Sequence, residues 1–329
     1  MATSTKSIVE GAFLISITVI MYLLGIYNAA FGFISTLFCP VPIILLVLRH
    51  EQKIVLSGFF VSVLILSGMA GILEAVYFFI QLLLPGFVMG YYIKKDSSIE
   101  KVIGITAIVF VAGTIILMSA LSQILQKDFL NEMFTNMENL KETYIKLYQD
   151  KGVDAATIAQ LKNILIFYIK MIKQIYPSIF IFCVIFLLIF NYEVARKIII
   201  KLGHTIKPLD MLNLRVPEYL IWGFIISFVF AFVDLEKIIM HKGTQEVIRL
   251  IALNILVFFV IMYFFQGLYI AVLYMKKWKF PKFFIIVNFI MFFIYLQFVP
   301  LLLGVFDFWF DFRTRIMKSG DYIERSNST

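Results

Sequence analysis

Residues 102–126 read VIGITAIVFVAGTIILMSALSQILQ, twenty-five consecutive positions without a charged side chain. As a helix rising 1.5 Å per residue, this stretch is about 37 Å long, enough to cross the roughly 30 Å hydrocarbon core of a bilayer. Strands and soluble core helices rarely stay apolar for so long. Eight more stretches share its character: 8–27, 30–48, 54–71, 74–93, 176–195, 219–236, 247–275 and 283–304. They predict an all-α, polytopic membrane bundle of about nine spans, or eight if one is re-entrant. Composition agrees: of 329 residues, 61% are hydrophobic and 15% charged, against about 25% charged in soluble domains. A soluble enzyme, a disordered chain, a collagen-like fibre and a disulfide scaffold are excluded, and the expected partner of most of the surface is the lipid bilayer.

Orientation is read from the 29 Lys and Arg. With the N-terminus cytoplasmic, short inner segments collect Lys6; Arg49 and Lys53; Lys94, Lys95 and Lys101; five from Arg196 to Arg215; and four from Lys276 to Lys282. The first two outer loops have none, so the positive-inside bias favours N-inside. The tail, with Arg313, Arg315, Lys318 and Arg325, lies outside if there are nine spans and inside if one is re-entrant. Pro300 and Gly304 mark the last segment as the one to break. The net charge of +8 is scattered between apolar runs, a topology pattern that implies no nucleic-acid partner. Cys39 and Cys183 lie in apolar runs and read as small buried hydrophobes.

The one sizeable polar insert, 127–174, separates spans one to five (1–126) from spans six to nine (175–304), with a tail at 305–329. Leu130, Met133, Met137, Leu140, Tyr144 and Leu147 repeat at helical spacing, as do Ile158, Leu161, Leu165, Tyr168 and Ile172. The reading is an extracytoplasmic helical hairpin with Asp154 capping its second arm, Glu142 and Lys146 in favourable order, and a return into span six near Pro177. It either packs on itself or serves as an arm for another envelope protein.

No His-Glu-x-x-His, Gly-x-Ser-x-Gly or phosphate-binding loop is present, and His50, His204 and His241 all lie in loops. No catalytic residue, metal site or cofactor is expected. Polar groups in spans carry more information, because they need partners or water there. Glu74, in a short turn, and Gln81, two turns deeper, are candidates for the floor of an outward-opening pocket; a hydrated turn residue and an interhelical hydrogen bond explain them as well. Pro40 and Pro42 remove two backbone donors from span two, forcing a break or a re-entrant bend that can line a cavity. Glu10 reads as a hydrated helix start, and Asp234 and Glu236 as a solvated helix end. Asp307, Trp309, Asp311 and Arg313 form an aromatic, charged cluster that reads as an interfacial anchor or a partner site. Asp307 and Asp311 are placed on one helix face, with Asp311 in reach of Arg315. Gly86 with Gly90, and Gly58 with Ser62, have small-x-x-x-small spacing and predict tight packing of spans three, four and seven.

Glu10-Gly11-Ala12, Pro40-x-Pro42 before Arg49-His50, and Gly304-x-x-Asp307-x-Trp309-x-Asp311-Phe312-Arg313 resemble the YybS-like family of uncharacterised bacterial membrane proteins, which carry a domain of unknown function. The resemblance covers most of the chain outside 127–174 and implies a bacterial cytoplasmic membrane. More loosely, spans one to six resemble the S components of energy-coupling-factor transporters, which bind small molecules in an outward pocket and dock a coupling subunit. At the docking face the chain departs from them, offering only Ala12-x-x-x-Ser16 in span one. MreD-like cell-shape proteins share that broad fold. The expected function is therefore a non-catalytic, small-molecule-binding or transport-related subunit; the alternatives are a cell-envelope scaffold and, third, an intramembrane enzyme.

Overall fold

The computed structural model describes residues 5–203, 206, 207, 216–233 and 242–317. The helices are α1 (Thr5–Tyr27), α2 (Ala29–Phe38), α3 (Pro40–Arg49), α4 (Gln52–Met69), α5 (Ile72–Phe78), α6 (Leu84–Lys94), α7 (Ile99–Leu125), α8 (Phe129–Asp150), α9 (Ala155–Lys201), α10 (Leu220–Phe232), α11 (Lys242–Lys277), α12 (Lys282–Ile294), α13 (Phe298–Phe310) and α14 (Phe312–Met317). No strand occurs among the described residues. Among the described residues, seven helical segments are long and apolar enough to span a membrane, and the bent pair α12–α13 makes up to eight. This is a polytopic helical membrane protein. Its spans leave large apolar side chains uncovered, among them Phe13 at 65% exposure, Phe60 at 66% and Ile108 at 69%, a surface suited to lipid.

Two segments differ from the nine-span reading. The seventh stretch is a helix of only 13 residues among the described ones, about 20 Å long and short of the hydrocarbon thickness. The last stretch bends by 94° between α12 and α13. The break falls at 295–297, a turn before Pro300, because that ring has no N–H for the Leu296 carbonyl and crowds it. Pro300 itself sits in the first turn of α13, where it is tolerated. Gly304 is no breaker; it is a contact point inside α13. Asp234, Glu236, His204, His241, Arg215, Lys318 and Arg325 lie outside the described residues.

The chain divides into two compact units, Met1–Val153 with Phe180–Leu209, and Asp154–Ile179 with Asp210–Thr329. The division passes through the polar insert: α8 belongs to the first unit, and Ala155 onward begins a 47-residue helix that runs on through Pro177.

In the first unit, α3 is the central element, with Pro40 to Val47 buried at every position, as expected of a helix that is apolar all round. The prolines interrupt span two only at Cys39, whose backbone stays helical (φ −53°, ψ −39°), and Ala30–Arg49 remains one span; there is no re-entrant bend. The small residues of α6 accept this helix: Gly86 faces the Ile43 side chain, and Gly90 faces Val47 and the Ile44 carbonyl. Gly58 faces Ile15 of α1, and buried Ser62 donates to its own Phe59 carbonyl. Span two and span one are thus the partners of these small residues. Hydropathy marks a small residue but cannot say which large side chain fills it. Cys39 is buried, whereas Cys183 is exposed, so an apolar run did not imply burial; in lipid, apolar residues also face outward.

At one end of this unit, Lys94 donates to the carbonyls of Val47 (3.0 Å) and His50 (2.8 Å), placing a cation on the C-terminal end of α3. Arg49 pairs with Glu10, which therefore has a fixed partner. His50 is 5% exposed, its Nε2 has no hydrogen-bond partner, and that atom lies 3.9 Å from Glu10 Oε2. Burial lowers its pKa; Glu10 opposes this, and Arg49 and Lys94 reinforce it. A lowered folded-state pKa means the unfolded chain binds the proton more readily. Stability is then fully present above the unfolded value of about 6.5 and declines as the pH falls below it. We expect a thermal midpoint that drops between pH 7 and pH 5, with the step absent in His50→Leu; equal steps in both proteins would refute the assignment.

The polar insert is helical as expected. Asp154 Oδ1 accepts the Thr157 N–H at 2.8 Å, and hydrogen bonds from Thr157 hold its carboxyl below the usual range. Asp128 caps α8 through the Asn131 N–H at 3.0 Å. Glu142 pairs with Lys141 at 3.2 Å rather than with Lys146.

In the second unit, Pro177 deprives the Lys173 carbonyl of its N–H donor and opens the helix ladder. Asn254 of α11 fits the opening. Its Oδ1 accepts the Ser178 N–H (3.2 Å) and Oγ–H (2.8 Å), and its Nδ2 donates to the Gln174 carbonyl (2.8 Å). An amide in an apolar helix is thereby fully used, and each such bond is worth about 0.6–2 kcal/mol in lipid. Further along, α11 and α13 meet backbone to backbone at Gly267 and Gly304: a Cβ on either would collide with Pro300 or Tyr263 of the facing helix.

Candidate functional site

A cavity inside the first unit, about 220 Å³, is bordered by α1, α2, α3, the α5–α6 segment, α7 and the 180–201 part of α9. Glu74 reaches it from the first turn of α5, where the chain arrives through Gly71 at φ +98°, a backbone state that suits glycine. Tyr22 of α1 donates its hydroxyl to Glu74 Oε2 at 2.9 Å, and its ring lies 4.8 Å from that of Phe78.

Gln81 arrives by a local defect. Pro85 cannot donate to the Gln81 carbonyl, and its ring crowds that oxygen. Residues Phe79–Leu83 widen into a π turn in which the Leu84 N–H bonds back to Phe79. Such bulges recur at functional sites because they redirect a side chain without ending the helix. Gln81 is buried at 4% exposure. Its Nε2 donates to Thr114 Oγ1 of α7 at 2.9 Å, and the Thr114 hydroxyl also lies near Gln81 Oε1 (3.3 Å) and the Phe110 carbonyl (2.9 Å).

Asn191 completes the lining. It is 1% exposed, and neither its Nδ2 nor its Oδ1 has a hydrogen-bond partner. A buried polar group left unsatisfied costs about 1–3 kcal/mol, and here both ends of one amide are in that state. Among the described residues the lining carries a single carboxylate, Glu74, and no Lys, Arg or His.

Of the residues singled out from sequence, Glu74, Gln81 and Pro40 come together on this cavity, and Gly86 borders it as well. Pro42 is buried one turn on and does not reach it. The aromatic cluster near the C-terminus divides. Asp307 (0%) and Arg313 (3%) are buried and paired, Nε to Oδ2 at 3.4 Å. Asp307 also accepts the Phe312 N–H (2.9 Å) and Gln266 Nε2 (3.2 Å). These two are internal to the second unit and are not presented to a partner. Asp311 ends α13 in the left-handed region, φ 44°, so the helix face it was expected to share with Asp307 stops there. Trp309 is exposed at 56%, as an anchor requires. Sequence reasoning missed Tyr22, Thr114 and Asn191. The signal for Asn191 was an amide interrupting the apolar run 176–195. Among the described residues, no three His, Cys, Asp or Glu side chains converge as metal ligands.

A family model described as "Predicted membrane protein (DUF2232)" matches residues 16–308. The uncharacterised protein YybS of Bacillus subtilis (strain 168) is similar, 23% identical over 318 residues that cover 95% of this chain and 99% of that protein. No solved structure matches.

Proposed function

Since the chain belongs to the DUF2232 family of predicted membrane proteins, we propose that its first unit is a non-catalytic small-molecule binder, a transport-related subunit of the bacterial cytoplasmic membrane. The observation that carries this is the unpaired amide of Asn191 on a cavity that also holds Glu74. A packed core would have buried an apolar side chain at 191, whereas an unused donor and acceptor are what a ligand pairs with. Spans one to six also group as one compact unit, the layout of the S-component resemblance. With the N-terminus inside, as the basic loops favour, Glu74 lies in the outer half of the membrane and the Glu10–Arg49–Lys94 end is cytoplasmic.

Half-buried Leu187 borders the cavity, and Leu187→Trp is expected to fill it. Small molecules that copurify with the wild-type protein, extracted and identified by mass spectrometry, should be lost from the variant. Identical profiles from two equally folded proteins would end the proposal.

A scaffold role is the second reading. It is favoured by Leu130, Leu140, Tyr144 and Leu147 of α8, which are 43–58% exposed on one helix stripe. Site-specific crosslinking from Leu140 that captures no envelope protein would remove it.

A further inference from the structure

We propose that the cavity selects a small monocation carrying an amide-like edge, that is, a hydrogen-bond donor beside an acceptor. The inference rests on the binding reading above and adds the chemical class.

The charge follows from the lining. Among the described residues Glu74 is its only charged side chain, with no base to balance it. Tyr22 occupies one carboxylate oxygen, Oε2, and among the described residues no protein group bonds the other. An unbalanced carboxylate favours a cation and penalises a second anion. Tyr22 and Tyr77 border the same space.

The edge follows from Asn191. Gln81 already pairs with Thr114, whereas Asn191 has no pair, so Asn191 is the amide that recognises the ligand. With Nδ2 and Oδ1 both unpaired, it offers a donor and an acceptor side by side. The complementary group is another amide, lactam or amino-heterocycle, which satisfies both at once. A simple ammonium has donors alone, so it satisfies Oδ1 and leaves Nδ2 buried without an acceptor. The volume, about 220 Å³, is below the ~300–1,000 Å³ of drug-sized ligands, so the ligand is small, about one ring with its substituents.

The test uses four probes built on one pyridine ring, on the full-length protein in detergent, read by calorimetry: 1-methylnicotinamide (cation with amide), nicotinamide (amide only), 1-methylpyridinium (cation only) and nicotinate (anion). The expected order places 1-methylnicotinamide about tenfold or more ahead of each single-feature probe, with nicotinate not bound. Glu74→Gln should erase the advantage over nicotinamide, and Asn191→Leu the advantage over 1-methylpyridinium. The ranking on the wild-type protein stands even if a variant fails to fold. Equal binding of nicotinamide and 1-methylnicotinamide, preference for nicotinate, or no binding of any probe overturns the class. Equal binding of 1-methylnicotinamide and 1-methylpyridinium does so too, and would make Asn191 a hydrated amide with no role in recognition. If the probes fail but Leu187→Trp still loses copurifying molecules, the class falls and the binding reading survives. If both fail, both fall.

Discussion

Gly267→Leu is expected to leave no stably folded second unit. At this position a Cβ has no room to exist: it would overlap the Pro300 carbonyl and crowd the Gly304 N–H of α13. The obstacle is backbone, which cannot swing aside as a side chain tip can, so the two helices would have to separate along their contact. Overpacking of side chains alone costs about 1–3 kcal/mol; a clash between backbones should exceed that and consume much of the protein's marginal stability. Gly304→Val should behave alike, since its Cβ would collide with the Tyr263 carbonyl. Gly68→Leu is the control, because a Cβ there meets nothing within 4 Å and leucine favours a helix over glycine. Size-exclusion profiles and thermal midpoints in detergent decide the matter. A Gly267→Leu protein that melts with the wild type would show that α11 and α13 do not touch at these residues.

Asp307→Leu should cost about 3–5 kcal/mol, the usual penalty for stranding one member of a buried ion pair. Asp307 holds three groups at once: the Arg313 guanidinium, the Gln266 amide and the Phe312 N–H. Gln266 extends the network, donating to the Gly304 carbonyl at 3.2 Å and accepting the Val216 N–H at 2.9 Å. The Arg313 guanidinium also lies 5.4 Å from the centre of the Tyr269 ring. Without the carboxylate, a positive charge remains buried where water cannot reach it. Asp307→Leu combined with Arg313→Met removes both charges and should recover much of the loss. Denaturation of the two single variants and the double variant forms the test. A double variant as unstable as the sum of the singles would mean that the two side chains act independently.

The C-terminal cluster shows where sequence reading stopped. The reading of Trp309 and its aromatic neighbours as an interfacial anchor requires exposure, and Trp309 is exposed. Asp307 and Arg313 look no different in sequence from solvated anchor residues, because their partnership depends on the left-handed turn at Asp311. That turn folds Arg313 back toward Asp307. Pro300 carried a readable signal, yet its effect appears at 295–297, since a proline ring acts on the carbonyl four residues earlier. The cavity was partly legible: a carboxylate and an amide two turns apart pointed to Glu74 and Gln81. Which amide stays unpaired depends on Thr114, which lies 33 residues beyond Gln81.

The sequence alone determined that this chain lives in lipid, that its segments are helices, and where most of them begin and end. Each of those properties is local: apolar length is measured against a bilayer, helical period against the chain itself, and caps against the next few residues. Only the tertiary structure decided which span is central, which large side chain fills each small-residue notch, and which polar groups are consumed by partners. Those outcomes depend on ridges and grooves from distant segments meeting at particular heights, and one residue of offset changes every pairing. That the Asn191 amide stays unpaired while Gln81 finds Thr114 is visible only once the spans are packed.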